Sequence, residues 1–251
     1  MARHSRSMLS LLPLLAFSGL AACGGEPGGN APHPVSAASI GSADYALLPC
    51  APSSPEAPCL LAVAGGKRLL FGTPAGLRAA IDAETLGGLD AVLLFSLQGP
   101  NLEGLDEVRN AGWTGGREAP LAVSGPAGTR DVVAALNKAF ELSDAQVFVE
   151  TPPRGGFGAA LLGVVPGEGD AKARVFDTGD LIVTKIETAD GRAGYWVDYG
   201  GQRAVLQPCG MDNAVRFNDR EAVILACEGE GASPWPLQKL QYLVRGEKAE
   251  P

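Results

Sequence analysis

Residues 90–105 read Asp90-Ala91-Val92-Leu93-Leu94-Phe95-Ser96-Leu97-Gln98-Gly99-Pro100-Asn101-Leu102-Glu103-Gly104-Leu105. An unbroken apolar run bounded by turn formers marks a buried strand, here Asp90 to Phe95. The strand leads into a short loop and then into a helix over Leu102 to Ala111. The loop holds hydroxyl and carboxamide side chains, and no imidazole follows it. Both histidines of the chain, His4 and His33, precede Pro34, so none lies between Pro34 and Pro251.

Working outward, hairpin signals recur at Gly-Gly pairs. Leu60–Ala64 and Lys67–Phe71 flank Gly65-Gly66, and Gly194–Tyr199 and Gln202–Leu206 flank Gly200-Gly201. Ala75–Ala83 reads as a helix and Leu121–Val123 as a strand. A helix is expected from Thr129 to Leu142 with Thr129 as its N-cap, since Val133, Leu136 and Phe140 share one face. Ala145–Glu150, Gly158–Val165, Ala173–Thr188 and Val223–Cys227 read as strands, and Leu237 to Val244 as a closing helix. Strands in two halves, each followed by helices, predict an α+β fold: a four-layer αββα sandwich, shortened at its C-terminal end. The chain has 251 residues, 46% of them hydrophobic, with 34 Gly and 19 Pro, which is ample for such a core with many tight turns.

The order of these pieces resembles the metallo-β-lactamase superfamily, in particular its ribonuclease Z-like branch. The resemblance rests on Gly65–Phe71, Thr73–Arg78, Leu121–Thr129 (LAVSGPAGT), Gly194–Tyr199 and Gly201–Gly210, and spans about Ile40 to Glu228. It implies that the 90–105 frame carries a His-x-His-x-Asp-His zinc motif. Its positions here hold Ser96, Gln98, Pro100 and Asn101, and Cys209 stands at the late bridging Asp. Gly72 replaces an Asp at the end of the early hairpin, and no His lies near Ile186-Glu187-Thr188. Zinc sites need imidazoles, thiolates or carboxylates at about 2 Å. The resemblance therefore implies the fold without its zinc-bound nucleophile.

The N-terminus reads as a targeting segment. Arg3, His4 and Arg6 precede an apolar stretch, Met8–Leu20, too short to span a bilayer. Leu20-Ala21-Ala22-Cys23 resembles a bacterial lipobox, which implies cleavage after residue 22 and acylation of Cys23. Each buried methylene of such an anchor contributes about 0.8 kcal/mol. Residues 1–22 are then a lipoprotein signal peptide, 23–39 the lipidated Cys with a Gly/Pro/Ala tether, and 40–251 the folded domain. Gly24 after the Cys, read by enterobacterial sorting rules, points to the outer membrane, with the domain facing the periplasm.

Loss of Arg3 and Arg6 with the leader shifts the net charge from −8 to −10. An acidic chain without a basic run is a poor ligand for nucleic acid, whose binding rests on Lys and Arg at phosphates. Cys50, Cys59, Cys209 and Cys227 form an even set in an oxidising compartment, which favours disulfides. Three pairings are open, and the local ones, Cys50 with Cys59 and Cys209 with Cys227, are simplest. The second pair follows two apolar strands and meets if those strands are parallel neighbours.

Other chemistries find little material. Without a histidine in the domain, Ser-His-Asp and Cys-His arrangements are out of reach. Ser124 reads as a turn residue, and Arg154-Gly155-Gly156-Phe157-Gly158 as a loop whose amides could face an anion. Asp177, Asp180, Glu187, Asp212 and Glu228 could hold a hard cation such as calcium, but scattered acids on an acidic surface are more often solvated. The leading expectation is a lipid-anchored, non-catalytic domain without a cofactor that binds a small molecule or an envelope protein. A metal-dependent hydrolase with a non-standard site of Cys209, Cys227 and Glu228, holding zinc, is the alternative. A purely structural lipoprotein is a third.

Overall fold

The computed structural model describes residues 34–50, 52–211, 221–227 and 232–246, with side chains for all of these except 221–224. The expected leader, Cys23 and most of the tether lie outside the described residues, as do Asp212 and Glu228.

Among the described residues, twelve strands make two sheets. In the first, β12 (Gln241–Val244), β1 (Tyr45–Pro49), β2 (Leu60–Ala64), β3 (Lys67–Phe71), β4 (Ala91–Leu93), β5 (Leu121–Ser124) and β6 (Leu162–Val164) lie side by side in that order. The second runs β11 (Glu221–Leu225), β10 (Gln202–Leu206), β9 (Ala193–Tyr199), β8 (Ile182–Glu187) and β7 (Lys172–Asp177). Strands β3 to β6 are mutually parallel, so β4 and β5 end at one edge and send their loops to the same side. Open parallel sheets place their ligand sites at such an edge.

Side-chain alternation builds two cores from the same strands. Tyr45, Leu47, Leu69, Phe71, Leu93 and Phe95 point toward the second sheet and meet Val183, Tyr195, Val197, Ala204 and Leu206. Their neighbours Ala46, Leu48, Leu70, Val92 and Val123 point the other way, under Leu77, Leu86, Leu105, Val108 and Val133. Those residues come from α1 (Leu77–Ala80), α2 (Ala83–Gly87), α4 (Leu105–Thr114) and α5 (Thr129–Glu150), while α3 (Gly99–Leu102) begins in the loop that follows β4. The first sheet is thus buried on both faces, which explains its continuous apolar runs.

Several expectations need correction. Residues 145–150 continue α5 and are not a strand, because β-branched Val147 and Val149 are overridden by a helix already 16 residues long. Gly128, in the left-handed region at φ 94°, takes the N-cap position of α5, while the Thr129 hydroxyl donates to the Pro126 carbonyl. The 173–188 run is two antiparallel strands around a turn at residues 178–181, and 241–244 is the edge strand β12, not a helix. Strand β1, not foreseen, fills the place between β12 and β2. Packing also begins before Ile40: Val35 N–H donates to the Ala80 carbonyl at 2.7 Å. The α+β sandwich of two sheets is present. Among the described residues helices cover the first sheet only, and residues 212–220, which join β10 to β11, are outside them.

Candidate functional site

The loops leaving β4 and β10 meet a third loop, residues 52–58, around a cavity of about 310 Å³. Its lining includes Phe95, Ser96, Gln98 and Asn101 from the β4–α3 connection, Pro55, Glu56 and Pro58 from the 52–58 loop, and Pro208, Cys209 and Gly210 from the end of β10. Arg192, just before β9, completes it. Four of the five expected positions, Ser96, Gln98, Asn101 and Cys209, therefore converge on one cavity; Pro100, at the first turn of α3, is exposed and is not in the lining.

Each element is fixed from behind. The Phe95 carbonyl accepts from Ala193 N–H at 2.8 Å, and the Tyr195 hydroxyl donates to the Leu94 carbonyl at 2.7 Å, so the end of β4 is held by the second sheet. Burial raises the Tyr195 phenol well above its ordinary pKa, keeping it a neutral donor. The Asn101 carbonyl accepts from the Thr73 hydroxyl at 2.7 Å, and its Nδ2 donates to the Glu56 carbonyl at 3.1 Å. Asn101 Oδ1 is buried and has no donor.

Among the described residues, two disulfides brace the cavity walls. Cys50–Cys59 closes the 52–58 loop, and Cys209–Cys227 joins the segments following β10 and β11, with Cα separations of 5.2 and 5.0 Å. Strands β10 and β11 are parallel neighbours with Leu206 opposite Leu225, so the sequence condition for the second bridge is met. Closing an 18-residue separation contributes about 3 kcal/mol through the unfolded chain.

The residues present do not fit a zinc ion. Ser96, Gln98 and Asn101 are poor ligands, and Cys209, in a disulfide, has no thiolate to give. Among the described residues, no three His, Cys, Asp or Glu side chains converge as a metal site. At Gly72, where the resemblance implies an acidic ligand, a Cβ would lie 1.9 Å from the Pro58 carbonyl oxygen. The wall of the cavity thus stands where that carboxylate would be.

The remaining expected residues are placed elsewhere. Glu187 is engaged by Lys185 Nζ at 2.6 Å and by Ala127 N–H at 2.8 Å, while Lys185 also donates to the Gly125 carbonyl at 3.1 Å. Both side chains are nearly enclosed, and the pair fastens the loop after β5 to β8. Ser124 is buried as the last residue of β5, opposite Leu93, so it belongs to the strand and not to the turn that follows it. Asp177 caps the β7–β8 turn through Gly179 N–H and pairs with Arg174, and Asp180 receives the Thr178 hydroxyl. These bonds hold both carboxyls below their usual range, and Glu187 lies at the other end of β8. Among the described residues, Glu187 is thus kept apart from Asp177 and Asp180. The 154–158 loop packs against α4, where Gly156 accepts from Trp113 Nε1 at 2.9 Å.

Sequence reading missed Arg192 and the Pro55–Pro58 wall. The Cys50–Cys59 enclosure of a proline-rich loop was the available signal for the wall, whereas a single Arg before a strand gave none.

No protein-family model and no curated protein matches the sequence. In structure the chain is similar to the short form of human tRNase Z, at 16% identity and a TM-score of 0.49, over 72% of this chain and 76% of that one. It is also similar to the metallo-β-lactamase fold protein YhfI of Bacillus subtilis, at 13% identity and a TM-score of 0.43, over 72% and 70%. A third likeness is to Zn(2+)-bound PqqB of Methylobacterium extorquens, at 14% identity and a TM-score of 0.39, over 67% of this chain and 56% of that one. Likenesses of this kind concern the fold and carry no chemistry across.

Proposed function

We propose that the protein is a lipid-anchored binding module of the bacterial envelope: a metallo-β-lactamase-type sandwich that has exchanged metal chemistry for a cross-linked pocket. The observation that supports this reading is the cavity at the sheet edge, walled by Ser96, Gln98, Asn101 and a Cys209 that is spent in a disulfide. Pockets of about 300 Å³ and upward hold small ligands, and bracing by two bridges lowers the ordering cost of binding. The anchor is supported by the sequence order of basic residues, apolar stretch and Cys23. The acidic net charge favours no polyanion as partner.

Peptide mapping by mass spectrometry, on protein extracted from bacterial envelopes without reductant, tests both parts. It is expected to return an N-terminal Cys23 carrying acyl chains and a cross-linked peptide containing Cys209 and Cys227. Free thiols at 209 and 227 would overturn the metal-free pocket, and an unmodified Cys23 would overturn the anchor.

A further inference from the structure

The donors around the cavity are not all used. Arg192 makes its described contacts, to the Gly210 carbonyl and to Asp190 at 3.4 Å, through Nη1 alone. Its Nε–Nη2 edge has no described protein partner, and this is the edge that grips a carboxylate with two parallel hydrogen bonds. Asp190 does not fill that role. Its carboxyl turns to the Thr188 hydroxyl, which with Arg192 keeps it below its usual range, and its side chain is half exposed. Ser96 Oγ accepts from Gln98 N–H at 3.3 Å, and its own O–H has no described acceptor. The Gln98 carboxamide is exposed and has no described side-chain partner.

Three donor groups from two loops thus line one cavity with an acceptor lacking for each. Asp190 is not in the lining, whose acidic residue, Glu56, is exposed and has its carbonyl taken by Asn101. The lining also holds a buried acceptor without a donor, Asn101 Oδ1. Phe95, Pro55, Pro58 and Pro208 supply apolar wall between these groups.

We propose that the pocket binds a carboxylate with an N–H donor a few atoms away: the chemistry of an acylated amino acid or of a polypeptide C-terminus. The inference rests on the binding-module reading. The carboxylate pairs with the Nε–Nη2 edge of Arg192 and the Ser96 hydroxyl, Gln98 closes over it, and the ligand N–H turns toward Asn101. With Glu56 exposed at the rim and the chain acidic overall, the fork-shaped Arg192 cation is a selective feature and not a general anion trap.

Isothermal titration of the mature domain with N-acetylglycine, N-acetylglycinamide, and a tripeptide as free acid and as C-terminal amide tests the proposal. The acids are expected to bind roughly tenfold or more tightly than their amides, since hydrogen bonds to charged groups are the stronger ones. Arg192→Gln is expected to abolish this preference, and Arg192→Lys, which keeps the charge but not the fork, to retain part of it. Unchanged thermal unfolding of both variants separates this loss from misfolding. Binding of N-acetylglycine as well as of the tripeptide acid identifies small acids as the source, and binding of the peptide acid alone identifies polypeptide ends. Equal binding of acids and amides, or no binding of either acid up to about 10 mM, overturns the proposal. In that event an intact Cys209–Cys227 bridge leaves the non-catalytic reading standing, whereas free thiols remove it too.

Discussion

Asp144→Ala is expected to destabilise the domain by about 3–5 kcal/mol, read as a lowered midpoint of urea unfolding with an unchanged slope. Asp144 lies on α5 and meets Arg109 of α4 through two hydrogen bonds, one of them Nη1 to Oδ1 at 3.0 Å, with both side chains almost wholly enclosed. Arg109 also lies over the Phe140 ring, at 5.0 Å from its centre. Next to it Arg117 donates to the Arg109 and Ala159 carbonyls, and burial, reinforced by the Arg109 charge, lowers its pKa to about 10. The cluster therefore holds two guanidinium groups and one carboxylate. Removing that carboxylate leaves like charges facing each other out of water, which is why the loss exceeds the net worth of the pair. The double variant Arg109→Met/Asp144→Leu is expected to recover most of the stability, because well-packed apolar side chains replace buried ion pairs at little cost. A single variant of near-normal stability would show that water reaches the cluster.

Gly72→Asp, which would return an acid to the position where the resemblance implies a ligand, is expected to cost on the order of 4 kcal/mol and to recruit no zinc. A left-handed conformation costs a non-glycine residue about 1–2 kcal/mol, and displacing packed neighbours a further 1–3 kcal/mol. Gly72 has φ 74°, and the atom in the way is the backbone oxygen of Pro58, which a rotamer change cannot move. Thermal unfolding and metal titration of the variant check the two halves. A stable variant that binds zinc would mean that the 52–58 wall yields easily and is no fixed part of the pocket.

These two sites differ in how visible they are to sequence. Gly72 was legible as a departure, since its place after an apolar hairpin strand is local information; that its space is filled by Pro58 depends on a loop brought back by strand pairing. The strands β4, β5, β9 and β10 were legible because each is a short apolar run closed by Gly, Pro or a polar turn. Strand β12 was not, since Leu237, Leu240 and Leu243 carry helical spacing that pairing with β1 overrides. The cavity position followed from the 90–105 frame, whereas Arg192 reaches it only through the packing of one sheet on the other. Lys185 and Glu187 offered a faint signal. They share the inward phase of β8 with Val183, so two opposite charges two residues apart were bound to be enclosed together.

In the proposed reading, a disulfide and polar bonds hold this edge of the sandwich, where the sequence resemblance implies a metal. Elemental analysis of the mature domain, purified without chelators or reductants, tests it most directly. Far less than one equivalent of zinc or any other transition metal is the predicted result. One or two equivalents that stay with the protein and are lost in Cys209→Ser would contradict that reading and put a metal site in its place.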